Sequence, residues 1–223
     1  MFSALRQSIS AWIIKKIQKF GPHRVEVLGN VYNVSEDVFN PKFYYTSIFM
    51  AKNINVRAGD VVLDIGTGSG IQAITAGQTA SRVIAVDINP EAVRYASQNV
   101  IANGLEKKIV IMQSDLFSSL RPEDKFDVIL FTPPYLKGMP KTDIDHALFD
   151  PEKELADRFF RDAGRHLRPE GYIQMVYSSF AEPEKVLAVS EQSGWRHSII
   201  AEEQTISEKF SIYKFTLLES PAA

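Results

Sequence analysis

Short apolar runs that end in glycine, aspartate or proline alternate with amphipathic segments from Val61 onward, and this rhythm constrains the fold more than any other feature of the chain. It predicts strands near 61–65, 82–87, 108–113, 126–131 and 171–177. Helices are expected near 70–80, 90–103, 152–167 and 183–193. Asn89-Pro90-Glu91 is a helix start with proline at the first helical position, and Asn103-Gly104 is a matching stop. Arg168-Pro169-Glu170-Gly171 reads as a turn. Strands that alternate with helices imply a parallel sheet covered on both faces. The tail breaks the rhythm: Arg196–Ala201 and Phe210–Leu217 read as an antiparallel hairpin at the edge. The expectation is an α/β fold with a mostly parallel, seven-stranded sheet.

Ahead of this core, residues 1–34 are expected to form an appendage to a domain spanning 35–223. Leu5, Ile9, Trp12, Ile13, Ile17 and Phe20 recur at helical spacing, with Arg6, Lys15, Lys16 and Lys19 on the other side. Such a basic face is a solvated face or a docking surface. Gly21-Pro22 stops the helix. Arg24–Leu28 and Val31–Val34 alternate in polarity around Gly29-Asn30, a hairpin signal. Residues 35–55 are aromatic-rich and expected to be a helix leading to the first core strand. The 223 residues carry a net charge of −2, which gives no overall electrostatic signature for nucleic acid. The absence of cysteine excludes disulfides, thiolate metal sites and thiol nucleophiles. No apolar run approaches a membrane span and no secretory signal is evident, so a cytoplasmic enzyme is expected.

Val61–Ile65 runs into Gly66-Thr67-Gly68-Ser69-Gly70, with glycine at every second position. Such a loop lets backbone pass close to a ligand and turn sharply into a helix. A dinucleotide loop of the Gly-x-Gly-x-x-Gly kind needs its third glycine at position 71, which is Ile71. Asp64, two residues before the first glycine, would repel a pyrophosphate and suits the ammonium group of a methionine moiety. Asp87 closes the next strand, where an acidic side chain can accept both ribose hydroxyls. Ile88 would then lie against adenine. Asp115 and the backbone amide of Leu116, after the third strand, are placed to read the adenine amino group and a ring nitrogen. Each also has a plainer role, as a turn former or helix cap.

Residues 64–70, Asp87, Asp115 and Phe131–Leu136 together resemble the HemK-type glutamine methyltransferases and their relatives that methylate adenine exocyclic amines. The small HemK-like branch is the best local match. Leu155–Phe160 resembles that branch's helix after the acceptor loop, and Ser35–Phe39 resembles its Glu-Asp-Thr-Phe motif, with Val38 replacing threonine. The likeness covers residues 31–218. It implies a Rossmann-like methyltransferase fold and S-adenosylmethionine as cofactor, held by Asp64, Gly66, Thr67, Gly68, Gly70, Asp87, Ile88, Asp115 and Leu116.

It also implies that Thr132, Pro133, Pro134 and Tyr135 form the acceptor loop. In the family, an Asn or Asp oxygen and the first proline's carbonyl accept both hydrogens of a weakly nucleophilic nitrogen, and the tyrosine stacks on a planar acceptor. Thr132 departs from that pattern: its hydroxyl is shorter than asparagine and also donates. The implied acceptor is a glutamine amide of a protein or an adenine of a nucleic acid. Thr132 keeps open a small metabolite methylated at nitrogen or oxygen, and a non-catalytic cofactor-binding subunit is the remaining alternative. The family's glycine-rich stretch is replaced by residues 143–150, where Asp145 and His146 either line the pocket or belong to a solvated loop. His23, His166 and His197 lack metal-ligand spacing.

Overall fold

The computed structural model describes residues 16–134, 145, 147–150 and 153–218. The expected helix therefore lies outside the described residues except for its last turn, 16–20, which stops before Gly21. There the structure differs from the expected apolar stripe. Ile17 and Phe20 are exposed and Gln18 is buried. Its side-chain amide donates to the carbonyls of Ser35 and Val38, while its oxygen accepts from Asn40 N and the Tyr44 hydroxyl.

Two strands follow, β1 (Arg24–Val27) and β2 (Asn30–Asn33), then helix α1 (Tyr45–Lys52). The core continues as β3 (Val61–Ile65), α2 (Ile71–Gly77), β4 (Arg82–Asp87), α3 (Pro90–Ala102), β5 (Ile109–Gln113) and β6 (Phe126–Phe131). It ends with α4 (Glu154–Ala163), β7 (Leu167–Ser178), α5 (Pro183–Gln192), β8 (Trp195–Gln204) and β9 (Lys209–Leu217). The main sheet has seven strands in the order β5-β4-β3-β6-β7-β9-β8. β3 to β7 pair in parallel, and β9 runs antiparallel to both β7 and β8. The parallel sheet and the edge hairpin are as expected.

Successive residues of a strand face opposite sides, and the core divides accordingly. Val62, Val83, Ala85 and Leu130 join Ile74 of α2 and Val100 of α3 on one face. Leu63, Ile65, Ile84, Ile129 and Phe131 join Phe159 and Phe160 of α4 on the other. Burial on both sides is why β3 and β6 read as apolar runs, each interrupted by a single aspartate.

Three local expectations shift. The hairpin turn is Leu28-Gly29, because Val27 pairs with Asn30. Both turn residues have positive φ, 52° and 76°, as a two-residue turn matched to strand twist demands. That register puts Val25, Val27 and Tyr32 into the core. Helix in the 35–55 stretch is confined to α1, since Asn40-Pro41 disfavours earlier helix. Arg168–Gly171 does turn, yet inside β7: Phe126 pairs with Leu167 and Val128 with Tyr172, so the intervening residues bulge, with Glu170 at φ 65°.

Helix α3 holds the hairpin with two asparagines one turn apart. Asn99 accepts from Asn33 N at 2.7 Å and donates to Asn33 O at 2.9 Å, and Asn103 exchanges the same pair of bonds with Val31. The amide side chains thus complete the β2 backbone as a neighbouring strand would. Asn99 is fully buried and also donates to Ser69 O in the glycine loop. Asn99→Ala leaves these backbone groups unpaired, so a loss of roughly 1–3 kcal/mol is expected in denaturant unfolding. A loss under about 0.5 kcal/mol would contradict this role.

Candidate active site

The carboxyl ends of the central strands stand level, because Ile65 pairs with Val86 on one side and Phe131 on the other. Gly66, Asp87 and Thr132, each one residue further on, leave the sheet side by side. Asp87 faces Gln113 of β5, which brings Ser114 to Leu116 to the same edge. The chain runs outward from β3 through β4 to β5, then returns to β6 on the other flank. Crevices open where strand order reverses in this way. A cavity of about 400 Å³ occupies this one.

The structure brings most of the expected residues to its wall. Gly66, Thr67 and Gly68 come from the loop after β3, Asp87 and Ile88 from the end of β4, and Asp115 and Leu116 from beyond β5. Thr132, Pro133 and Pro134 close the opposite side. Tyr135, Leu136 and His146 lie outside the described residues. Asp145 is buried and away from the wall, where Ala147 and Leu148 stand instead.

Asp64 and Gly70 are placed differently from the sequence expectation. Gly70 packs between α3 and α2, where an added Cβ would meet Ala96 and Ile74 at 3.5 Å. Its φ of 88° lets the chain turn into α2. Asp64 lies beneath the loop rather than at the wall, 1 % exposed. Its Oδ2 accepts from the Thr67 hydroxyl at 2.6 Å and from Ala73 N at 3.1 Å, and Oδ1 has no partner among the described residues. The carboxylate therefore shapes the loop from below. On the far side, Asp87 accepts from Gly68 N at 2.8 Å and from Asn89 N at 3.0 Å. Burial raises the pKa of both carboxyls, that of Asp64 to about 7.

Other wall residues were not expected in the site, although residues 37–39 and Arg158 fall within stretches that resemble family motifs. Asp37, Val38, Phe39 and Tyr44 reach the cavity from the stretch that Gln18 anchors, and Asn89 donates to Asp37 O at 2.9 Å. Gln72 of α2 and Arg158 of α4 also line it. The one available signal for Gln18 was a polar residue inside an apolar stripe. Leu116 adopts φ 50°, a strained value for leucine, and its carbonyl accepts from the Ser114 hydroxyl at 2.9 Å. Thr132 presents a buried hydroxyl oxygen with no hydrogen-bond partner among the described residues. No group of three His, Asp or Glu suited to a metal occurs among them either.

The raised pKa of Asp64 has a signed consequence. The folded state binds this proton more tightly than the unfolded chain does, so stability falls as pH rises from about 4 through about 7. Between pH 5 and pH 8, Asp64→Asn should gain roughly 2–3 kcal/mol on the wild type in paired denaturation curves. A difference independent of pH would remove the shift.

Residues 36–213 match the Methyltransferase small domain family. A provisionally assigned protein N5-glutamine methyltransferase of Methanocaldococcus jannaschii is 34 % identical over 79 % of this chain and 90 % of its own length. The human methyltransferase HEMK2 is 27 % identical over 84 % of this chain and 90 % of its own. Among solved structures, the Thermus thermophilus 16S rRNA N2 G1207 methyltransferase, in complex with AdoMet and guanosine, has the same fold. It gives a TM-score of 0.65 at 22 % identity, over 86 % of this chain and 48 % of that one. No described helix is long and apolar enough to cross a membrane. The chain thus belongs to the Methyltransferase small domain family, as a HemK-like S-adenosylmethionine-dependent methyltransferase.

Proposed function

We propose that the chain methylates an amide or amine nitrogen of a macromolecule, first of all a glutamine side chain of a protein, and that it does so in the cytoplasm. The observation that carries this is the position of Thr132-Pro133-Pro134 in the wall of the cavity that Asp87 and Asp115 also line, with a Thr132 oxygen that has no partner among the described residues. The N5-glutamine assignment of the M. jannaschii relative supports a protein acceptor.

The residues present fit the cofactor. A Cβ added at Gly68 would meet nothing within 4 Å, so the loop leaves room beside its backbone. The charged wall residues described are Asp37, Asp87 and Asp115 against Arg158. This balance disfavours a pyrophosphate and suits a cationic sulfonium nucleoside. Bound there, S-adenosylmethionine supplies a methyl group that is open to in-line attack by a nucleophile.

The chain's part is to bind, orient and desolvate. Asp87 spends one lone pair of each oxygen on a backbone amide and keeps the others for ribose hydroxyls. Ile88, 45 % exposed, offers apolar surface to the adenine. Thr132 Oγ1 and the Pro133 carbonyl accept the two hydrogens of the acceptor nitrogen, which holds its lone pair toward the methyl group. Orientation of this kind is the larger part of what such an enzyme must provide. Thr132 also favours a second reading, an oxygen acceptor or small metabolite toward which its hydroxyl donates.

The test follows labelled methyl from the cofactor into protein and RNA substrates, with the product identified after hydrolysis. N5-methylglutamine is expected. Label confined to small molecules would overturn the macromolecular acceptor. Thr132→Ala should slow turnover by a few-fold to about tenfold, the worth of one neutral hydrogen bond, and leave cofactor affinity nearly unchanged. Thr132→Asn should preserve or raise transfer to nitrogen. Transfer that survives in the alanine variant but collapses in the asparagine variant contradicts the clamp.

A further inference from the structure

We propose that Arg158 sets the base specificity of the cofactor site by fixing the orientation of the Asp115 carboxylate. This rests on the methyltransferase assignment and on Asp115 facing the cofactor's base. Arg158 Nη2 donates to Asp115 Oδ2 at 2.6 Å, across 43 positions of sequence, and both side chains stand in the cavity wall. Only Oδ2 takes that bond, so Oδ1 remains to accept from a ligand.

Both ends of the pair are held by the same packing. Phe159, next to Arg158, is fully buried, with its ring centroid 5.5 Å from Phe117 and 4.8 Å from Phe131. Phe117 lies two residues beyond Asp115. The backbone of Asp115 is held by its turn, its N–H donating to Ser118 Oγ at 3.2 Å and its carbonyl accepting from Ser118 N at 3.1 Å, which leaves Arg158 to orient the carboxylate. The side chains of Arg158 and Asp115 are 53 % and 42 % exposed, and a pair so exposed adds little to stability. A ligand that covers it excludes water and strengthens its field. The pair therefore acts on the ligand more than on the fold.

Adenine presents an amino donor at position 6 and an acceptor at N1. Hypoxanthine reverses both, with an oxygen at position 6 and a hydrogen on N1. A carboxylate held toward position 6 favours the first and repels the second, so specificity includes a repulsive element. A carboxylate free to rotate away loses most of that discrimination.

Calorimetry with S-adenosylhomocysteine and its inosine counterpart, on wild type, Asp115→Asn, Arg158→Ala and Arg158→Lys, tests this. The wild type should prefer the adenosine compound by about tenfold or more, the worth of a hydrogen bond to a charged acceptor. Asp115→Asn should abolish or invert the preference. Arg158→Ala should cut it at least about threefold with an unchanged melting temperature, and Arg158→Lys should recover part of it. A preference intact in Arg158→Ala but lost in Asp115→Asn overturns the role of Arg158. A preference intact in Asp115→Asn overturns it also, since the base is then read elsewhere. Failure of the wild type to bind either compound would sink the cofactor assignment itself.

Discussion

A buried carboxyl, Asp64, and a half-buried one, Asp87, hold one glycine loop, and the site depends on that arrangement. Asp64 binds the Thr67 hydroxyl and Ala73 N from below. Asp87 binds Gly68 N from the side. Gly66, Gly68 and Gly70 take φ values of 66°, 55° and 88°, which other residues reach only with strain. Backbone with so much freedom needs fixing, and carboxyl oxygens that accept from its N–H and O–H groups provide it. The cost is electrostatic: the carboxyls lose water, and their pKa values rise. A cationic ligand above the loop would offset part of that cost.

The same cavity joins elements distant in sequence. Gln18 fixes the stretch that carries Asp37, Val38 and Tyr44 to the wall. Asn99 binds both β2 and Ser69, so the hairpin, α3 and the glycine loop share one buried side chain. The hairpin also contributes Val25, Val27 and Tyr32 to the cluster around β3 and β4. On the opposite face, the Phe117–Phe159–Phe131 contacts tie α4 to the ends of β5 and β6. The Asp87 end and the Thr132 end of the cavity are thereby built on one frame, as accurate positioning requires.

The strands and the glycine loop were legible because their signals are local. Double-sided burial of β3 and β6 writes itself as apolar runs broken by one aspartate each, and left-handed backbone writes itself as glycine. Leu28 hid the hairpin register, since leucine does not announce a positive φ. Asp64 stands on the expected strand, and its place beneath the loop was not legible because its side-chain direction depends on Thr67 and Ala73. Gln18, Asn99 and Arg158 were not legible as positioning groups. Their partners lie 17 or more residues away, and polar side chains carry no pattern that names a distant partner. The Thr132 departure was visible at once, and among the described residues its hydroxyl oxygen has no hydrogen-bond partner.

The most direct test of the account is a crystal structure of the protein with S-adenosylhomocysteine. It should show the ribose hydroxyls on Asp87, the adenine against Ile88 with its amino group toward Asp115, and the sulfur end directed toward Thr132 and Pro133. A ligand bound away from the loop, or in this cavity with its ribose remote from Asp87, would contradict the account.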